Sequence, residues 1–253
     1  MAEQIPRYGR QTLLRFIGED GQTKIGKARV FVAGVGALGC LISTLLARAG
    51  VGFLRIADRD EPELHNLHRQ ILYDETDLGK GMSKVRIAEQ KLRAANSHVT
   101  IDAVEHAVGP DNVESLCRDV DLVVDALDNI TTRYLINDVI IAKGIPYVFG
   151  GAVEAVGNVM TIIPGKTPCL RCLWPDPEAV VNHPTAAQVG VLSAAAAAIA
   201  SIEVAETLKL IVGAPEDCIR GLLVMDLWRS AFQIAPVQPA AGCVCRAAPR
   251  TSV

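Results

Sequence analysis

Short runs of β-branched and aliphatic residues alternate with stretches of helical apolar spacing along the first part of the chain. Arg29-Val-Phe-Val-Ala-Gly34 reads as a strand that breaks into glycines, and Leu38 to Ala49 places apolar residues on one helical face. Phe53-Leu-Arg-Ile-Ala-Asp58 follows as a second strand, which makes a βαβ unit with its crossover helix between parallel strands. The alternation continues through a helix around Lys84 to Ala95, a strand near Thr100 to Val104, and the apolar strand Leu122-Val-Val-Asp-Ala126. A helix from Thr131 to Lys143 then leads into a strand at Pro146-Tyr-Val-Phe149. This pattern predicts an α/β chain with a doubly wound, mostly parallel sheet and helices on both faces.

After Gly151 the style changes. Asn158-Val-Met-Thr-Ile-Ile163 and Leu222-Leu-Val-Met-Asp226 read as strands flanking a long alanine-rich stretch from Gly190 to Val212. They are expected to extend the same sheet as antiparallel additions. The segment from Trp174 to Val189 holds three prolines and little periodicity, which marks a loop.

Composition narrows the function classes. The chain has 253 residues, half of them hydrophobic, and a formal charge of -3, so no broad basic field exists for nucleic acid or anionic lipid. Any phosphate binding must be local. Glu203, Glu206 and Lys209 interrupt the most apolar stretch, which favours a core helix over a membrane span. Met1-Ala2-Glu3-Gln4 lacks the basic start and apolar core of a secretory signal, so a cytoplasmic address is expected. Seven cysteines, some in spaced pairs, suggest metal or thiol chemistry before disulfides in that compartment.

Gly34-Val-Gly36-Ala37-Leu-Gly39 lies between a predicted strand and a predicted helix. Missing side chains let backbone approach phosphate there, and the helix N-terminus offers free N–H groups. Asp58 ends the next strand, where a carboxylate can accept from ribose hydroxyls. Asp60, Asn66, Arg69 and Gln70 follow in a short polar stretch that suits a triphosphate better than a nicotinamide, because cleaving a phosphoanhydride needs donors and cations on phosphate oxygens. Asp125 and Asp128 close a hydrophobic strand at the ligand-binding edge of such sheets, and Asp128 is placed to hold Mg²⁺. Cys169 and Cys172 have metal-ligand spacing, and Cys243 and Cys245 form a second, tighter pair, so a structural Zn²⁺ on four thiols is expected.

In order along nearly the whole chain stand Arg7-Tyr-Gly-Arg10-Gln11, the glycine turn, Asp58-x-Asp60, Asn66-Leu-His-Arg69-Gln70, Lys84, Asp128-Asn129 with Arg133, Cys169-Leu-Arg-Cys172 and Gly190-Val-Leu. With these motifs the sequence resembles the E1-like adenylyltransferases of the MoeB, ThiF and HesA type. Cys172-Leu-Trp-Pro-Asp176 is similar to the ThiF branch, which serves thiamin thiazole synthesis, whereas MoeB serves molybdopterin. The resemblance implies one Rossmann-like adenylation domain over residues 1–253. Residues 1–27 would be an N-terminal helical arm, 28–150 the nucleotide-binding part, and 151–253 the later strands, crossover loop, long helix and cysteine-bearing tail. It implies ATP and Mg²⁺, with Asp58 on ribose, Asn66, Arg69 and Lys84 on the phosphates, and Asp128 on the metal. Arg10 would reach the active site of a partner subunit, which makes a homodimer. The expected reaction is adenylation of the C-terminal glycine of a small ubiquitin-like sulfur-carrier protein, with pyrophosphate released and no side-chain nucleophile needed.

Two positions depart from the family pattern. The second cysteine pair is C-x-C where the family has C-x-x-C. Ala186 stands where members commonly carry a loop cysteine, and alanine cannot form a thioester or acyl-persulfide. Adenylation without a covalent loop intermediate is therefore expected, with sulfur from a separate donor such as a cysteine desulfurase or a rhodanese-like protein. A nicotinamide-dependent oxidoreductase shares the glycine turn and Asp58 but leaves Arg10, Arg69, Asp128 and Asn129 unexplained. A non-catalytic scaffold binding nucleotide or a ubiquitin-like partner is the other alternative.

Overall fold

The computed structural model describes residues 6–176, 180 and 184–246. Its strands are β1 (Arg29–Ala33), β2 (Phe53–Ala57), β3 (Thr100–Val104), β4 (Leu122–Asp125), β5 (Tyr147–Val153), β6 (Val156–Ile162), β7 (Leu222–Asp226) and β8 (Ala231–Ala235). They form one sheet in the order β3-β2-β1-β4-β5-β6-β7-β8. The first five run parallel, and β6, β7 and β8 are added antiparallel. The strand order reverses between β1 and β4, so the switch point, where open α/β sheets bind ligands, lies between the loops that follow those two strands.

The helices are α1 (Gly9–Thr12), α2 (Gly18–Lys27), α3 (Ala37–Ala49), α4 (Lys84–Ala95), α5 (Val113–Leu116), α6 (Ile130–Lys143), α7 (Leu170–Leu173), α8 (Ala186–Val189) and α9 (Ser193–Val212). Side chains alternate across a strand, and β1 divides accordingly. Val30 and Val32 enter a core with Leu46 of α3, Leu92 of α4 and Ile199 of α9. Phe31 and Ala33 enter the opposite core with Leu116 of α5, Ile140 of α6 and Leu170 of α7. Helices therefore cover both faces, as the near-continuous apolar runs require. Phe31 is fully buried, so its truncation to alanine would cost about 3–5 kcal/mol.

Three expectations are corrected. The strand predicted at Pro146–Phe149 runs on to Val153 because β6 pairs with it along its whole length. The long helix begins at Ser193 rather than Gly190: Gly190, at φ +87°, ends α8, and Val191 pairs with Glu154. β8 was not foreseen. Of the loop predicted over 174–189, residues 177–179 and 181–183 lie outside the described residues, and 186–189 are helical. Among the described residues no helix is long and apolar enough to cross a membrane.

Candidate functional site

The turn after β1 is built by sterics. Gly34 sits at φ +101°, and a Cβ there would lie 2.6 Å from the Ala126 carbonyl oxygen. A Cβ on Gly39 would lie 2.1 Å from the Gly34 oxygen. These two glycines let β1, α3 and the loop after β4 approach one another. Gly36 differs, because its nearest neighbour would be Gln70 Nε2 at 3.8 Å. Its face is open. Ala37 then starts α3, so the free N–H groups of the first turn point at this opening. From below, the Tyr73 hydroxyl donates to the Val35 carbonyl at 2.9 Å.

Asp58 joins the turn to the next loop. Its Oδ2 accepts from the Val35 N–H and its Oδ1 from the Asp60 N–H, each at 3.0 Å. Lys84 opens α4, donates its backbone N–H to the Asp60 carbonyl at 2.7 Å, and places Nζ 3.3 Å from Asp60 Oδ2. Its side chain is 7% exposed, so the ammonium is held in a fixed place rather than waving in solvent. Asn66 and Gln70 are buried. Asn66 Oδ1 accepts from the Glu63 N–H and closes a capped turn, while Gln70 Oε1 has no hydrogen-bond partner. Arg69 stays within its own turn, donating to the His65 carbonyl at 2.8 Å and lying 2.9 Å from His68 Nε2.

Across the switch point, Asp128 is exposed on the loop after β4. Asn129 caps α6 by accepting from the Thr132 N–H at 2.9 Å. That loop is fixed by a residue to which sequence reading gave no role. Arg133 donates Nε to Asp125 Oδ2 at 2.8 Å, and its Nη2 reaches the Leu127 and Gly150 carbonyls at 2.6 and 2.8 Å. Asp125 Oδ1 accepts from the Leu127 N–H. Burial pushes the Asp125 carboxyl above its ordinary value, and the Arg133 guanidinium opposes that shift. The available signal was an arginine on a helix beginning just after an acidic strand end.

Arg10 is not brought to this group within the chain. Its helix α1 sits at the far end of α3, where Tyr8 packs on Gly50 and Gln11 Nε2 donates to the Ala49 carbonyl at 2.9 Å. The full length of α3, on the order of 20 Å, separates that end from the glycine turn.

The four cysteines do converge. Cys169, Cys172, Cys243 and Cys245 place their sulfurs within 4.8 Å of one another. Cys169–Cys243 and Cys172–Cys245 are 3.6 and 3.5 Å apart, close to the ~3.8 Å edge of a tetrahedron with Zn–S bonds of about 2.3 Å. The donor set fits zinc. The tight C-x-C pair works because a 3₁₀ turn over Val244–Arg246 leaves Val244 exposed and turns Cys245 inward. Burial pushes the Cys169 thiol up to about 11. Burial acts upward on Cys172 too, but backbone hydrogen bonds, including one from the Ala240 N–H at 3.3 Å, leave it below its ordinary value.

A model described as the ThiF family matches residues 8–247. The Sulfur carrier protein ThiS adenylyltransferase of Bacillus subtilis (strain 168) is 41% identical over 225 residues, covering 88% of this chain and 66% of that protein. This chain therefore spans about two thirds of that relative's length. The Sulfur carrier protein adenylyltransferase of Thermus thermophilus is 36% identical over 249 residues, covering 96% of this chain and 91% of that one. In shape the chain is similar to the crystal structure of E. coli MccB with ATP, at a TM-score of 0.82 and 21% identity, with 96% and 75% coverage. At that identity the likeness is one of fold.

Proposed function

The chain belongs to the ThiF family, and from that premise we propose that it uses ATP to adenylate the C-terminal glycine carboxylate of a small ubiquitin-like sulfur-carrier protein. One observation carries the reading: the open glycine turn, Asp58, buried Lys84 and the Asp128 loop meet at the point where strand order reverses. The names of the curated relatives supply the class of substrate.

Asp58 binds the ribose hydroxyls. The Gly34, Gly36, Ala37 and Gly39 backbone, with Asp60, Asn66, Gln70 and Asn129, shapes the nucleotide site. Arg69 and Lys84 take the phosphates, and Arg69 must leave the His65 carbonyl to do so. Asp128 holds Mg²⁺, which supplies positive charge to the phosphate oxygens. A carboxylate oxygen of the carrier attacks the α-phosphorus as the bond to pyrophosphate breaks. The attacking carboxylate is already ionised near neutral pH, so catalysis consists of alignment and charge stabilisation.

Arg10 completes the site from a second copy of the chain, giving a homodimer. Its distance from its own glycine turn supports this, as do the exposed Leu13 and Phe16 beside it, 73% and 66% accessible. The solvent-facing edge strand β8, with Phe232 and Ile234 exposed, suits a protein partner better than a small acid. Ala186 begins α8 and offers no nucleophile, so sulfur comes from a separate cysteine desulfurase or rhodanese-like donor, in the cytoplasm. The four-thiol site holds a structural zinc.

The test is carrier-dependent ATP–pyrophosphate exchange. Asp128→Ala and Arg69→Ala each abolish it while the fold persists, and near-normal exchange in both would overturn the mechanism. Stabilisation against heat by Mg·ATP but not NAD separates this reading from hydride transfer.

A further inference from the structure

Glu203 lies on α9 and is fully buried, and neither carboxyl oxygen has a hydrogen-bond partner. A Cβ on Gly150 would sit 2.3 Å from its carboxyl carbon and 2.5 Å from either oxygen, so the carboxyl lies directly against β5 where that strand leaves β4. Nearby Glu206 is also buried, but it accepts from Thr161, Lys209 and the Ile219 N–H. Glu203 is the acid without an assigned role. The Gly150 strand position that it supports is also the one whose carbonyl anchors Arg133, and Arg133 holds the Leu127 carbonyl in the loop that carries Asp128.

We propose that Glu203 is a positioning residue for the nucleotide site: its uncharged carboxyl props Gly150 of β5, and through Arg133 keeps the 126–129 loop in place. This rests on the nucleotide reading given above. An ionised carboxylate with no hydrogen bond in a dry interior is strongly disfavoured. Burial pushes Glu203 well above the usual carboxylate range, the Asp125 charge adds to the shift, and Arg133 opposes it. The charged and titratable groups facing it are Asp125 of β4, Tyr147 of β5 and Arg133 of α6. Ionisation at alkaline pH puts two anions beside one guanidinium, so Arg133 is drawn away from the Leu127 and Gly150 carbonyls and the Asp128 loop loosens.

The sign of the pH dependence follows from the raised value. The folded state holds a proton that the unfolded chain releases, so stability is full below the ordinary glutamate value and falls as pH rises toward the folded one. Glu203→Gln keeps the shape and cannot ionise. The full chain and this variant are melted from pH 5 into the alkaline range, and amide hydrogen exchange across residues 126–129 is followed at pH 7 and in that range. The expected result is a variant that melts higher than wild type at neutral pH, with the gap widening by roughly 3 °C per pH unit until the carboxyl ionises in the folded state, where it levels off. Exchange in the loop should be equal in the two proteins at pH 7, and faster in wild type at any alkaline pH where the melting gap has stopped widening. A variant no more stable than wild type at any pH, or loops that exchange alike where the melting gap has stopped widening, would overturn the proposal. Both measurements are made without nucleotide, so a failure of Mg·ATP to bind wild type at pH 7 counts against the nucleotide reading and leaves this test standing.

Discussion

Arg133 donates from Nε to the fully buried Asp125 carboxylate at 2.8 Å, and the same guanidinium ties the loop at the end of β4 to the middle of neighbouring β5. Three acceptors around one planar fork explain why arginine is required: a lysine offers a point charge on a flexible stem. Arg133→Met leaves Asp125 buried without its cation, which costs about 3–5 kcal/mol. Arg133→Lys recovers only part of that. Urea unfolding of the two variants checks the order, and a methionine variant as stable as wild type would show the pair to be dispensable.

The glycine turn separates fold from function by position. Gly39→Ala forces a Cβ into the Gly34 carbonyl, a contact between two backbone segments that cannot both relax, and should destabilise by at least about 2 kcal/mol. Gly36→Ala meets nothing within 3.8 Å and has an ordinary φ of -79°. It should melt close to wild type yet lose the stabilisation by Mg·ATP, because the methyl occupies the open face proposed to receive phosphate. Thermal shift with and without Mg·ATP reads both effects. Equal nucleotide responses from Gly36→Ala and wild type would place the ligand elsewhere.

The zinc expectation has a stoichiometric test. Protein purified without chelator should carry about one zinc per chain, and Cys172→Ser or Cys243→Ser should drop that below half, since three thiolates rarely make a closed structural site. Protease sensitivity should then rise around residues 243–246 and at Gly165, whose N–H is bound to the Cys245 carbonyl. Full zinc content in both variants would remove these thiols from the ligand set.

Much of this was legible because local chemistry and fold agree. A strand breaking into Gly34, Gly36 and Gly39 before a helix leaves few other conformations, and Asp58 and Asp128 follow strands that their apolar runs announce. Glu203 was opaque because the strand position it meets, 150, lies far away in sequence. Arg133 stood beside Asp128 in the motif set and meets 125 and 127 nearby, but its tie to 150 needed the neighbouring strand to be placed. In an alanine-rich helix Glu203 reads as a solvated charge, although it falls in register with buried Ile199 and Leu210. β8 escaped for the opposite reason. Ala231 to Ile234 all face solvent, so no burial period marks the strand.

Acid should expose a small surface contribution. Hydrogen bonds from Lys91 and Thr76 pull Asp74 down to about 2 from its ordinary 3.8. The folded value is the lower one, so the stabilisation is full above about 3.8 and is lost as pH falls through about 2. Lys91→Met should therefore melt slightly below wild type at pH 6, and the two curves should converge towards pH 2. A difference that persists there would assign the effect to packing of the lysine stem.

Arg10 offers the sharpest test of quaternary structure. It stands at the end of α3 opposite the glycine turn, so a catalytic arginine at this position serves another chain or serves none. Arg10→Ala and Asp128→Ala homodimers should each be inactive in ATP–pyrophosphate exchange. When the two are mixed and subunits exchange, half the dimers become mixed. Each mixed dimer then holds one site with both residues native and one with neither, so activity should recover to roughly a quarter of wild type. No recovery, after mass measurement confirms that mixed dimers have formed, would place Arg10 in the same site as its own Asp128 and require α1 to leave Gly50.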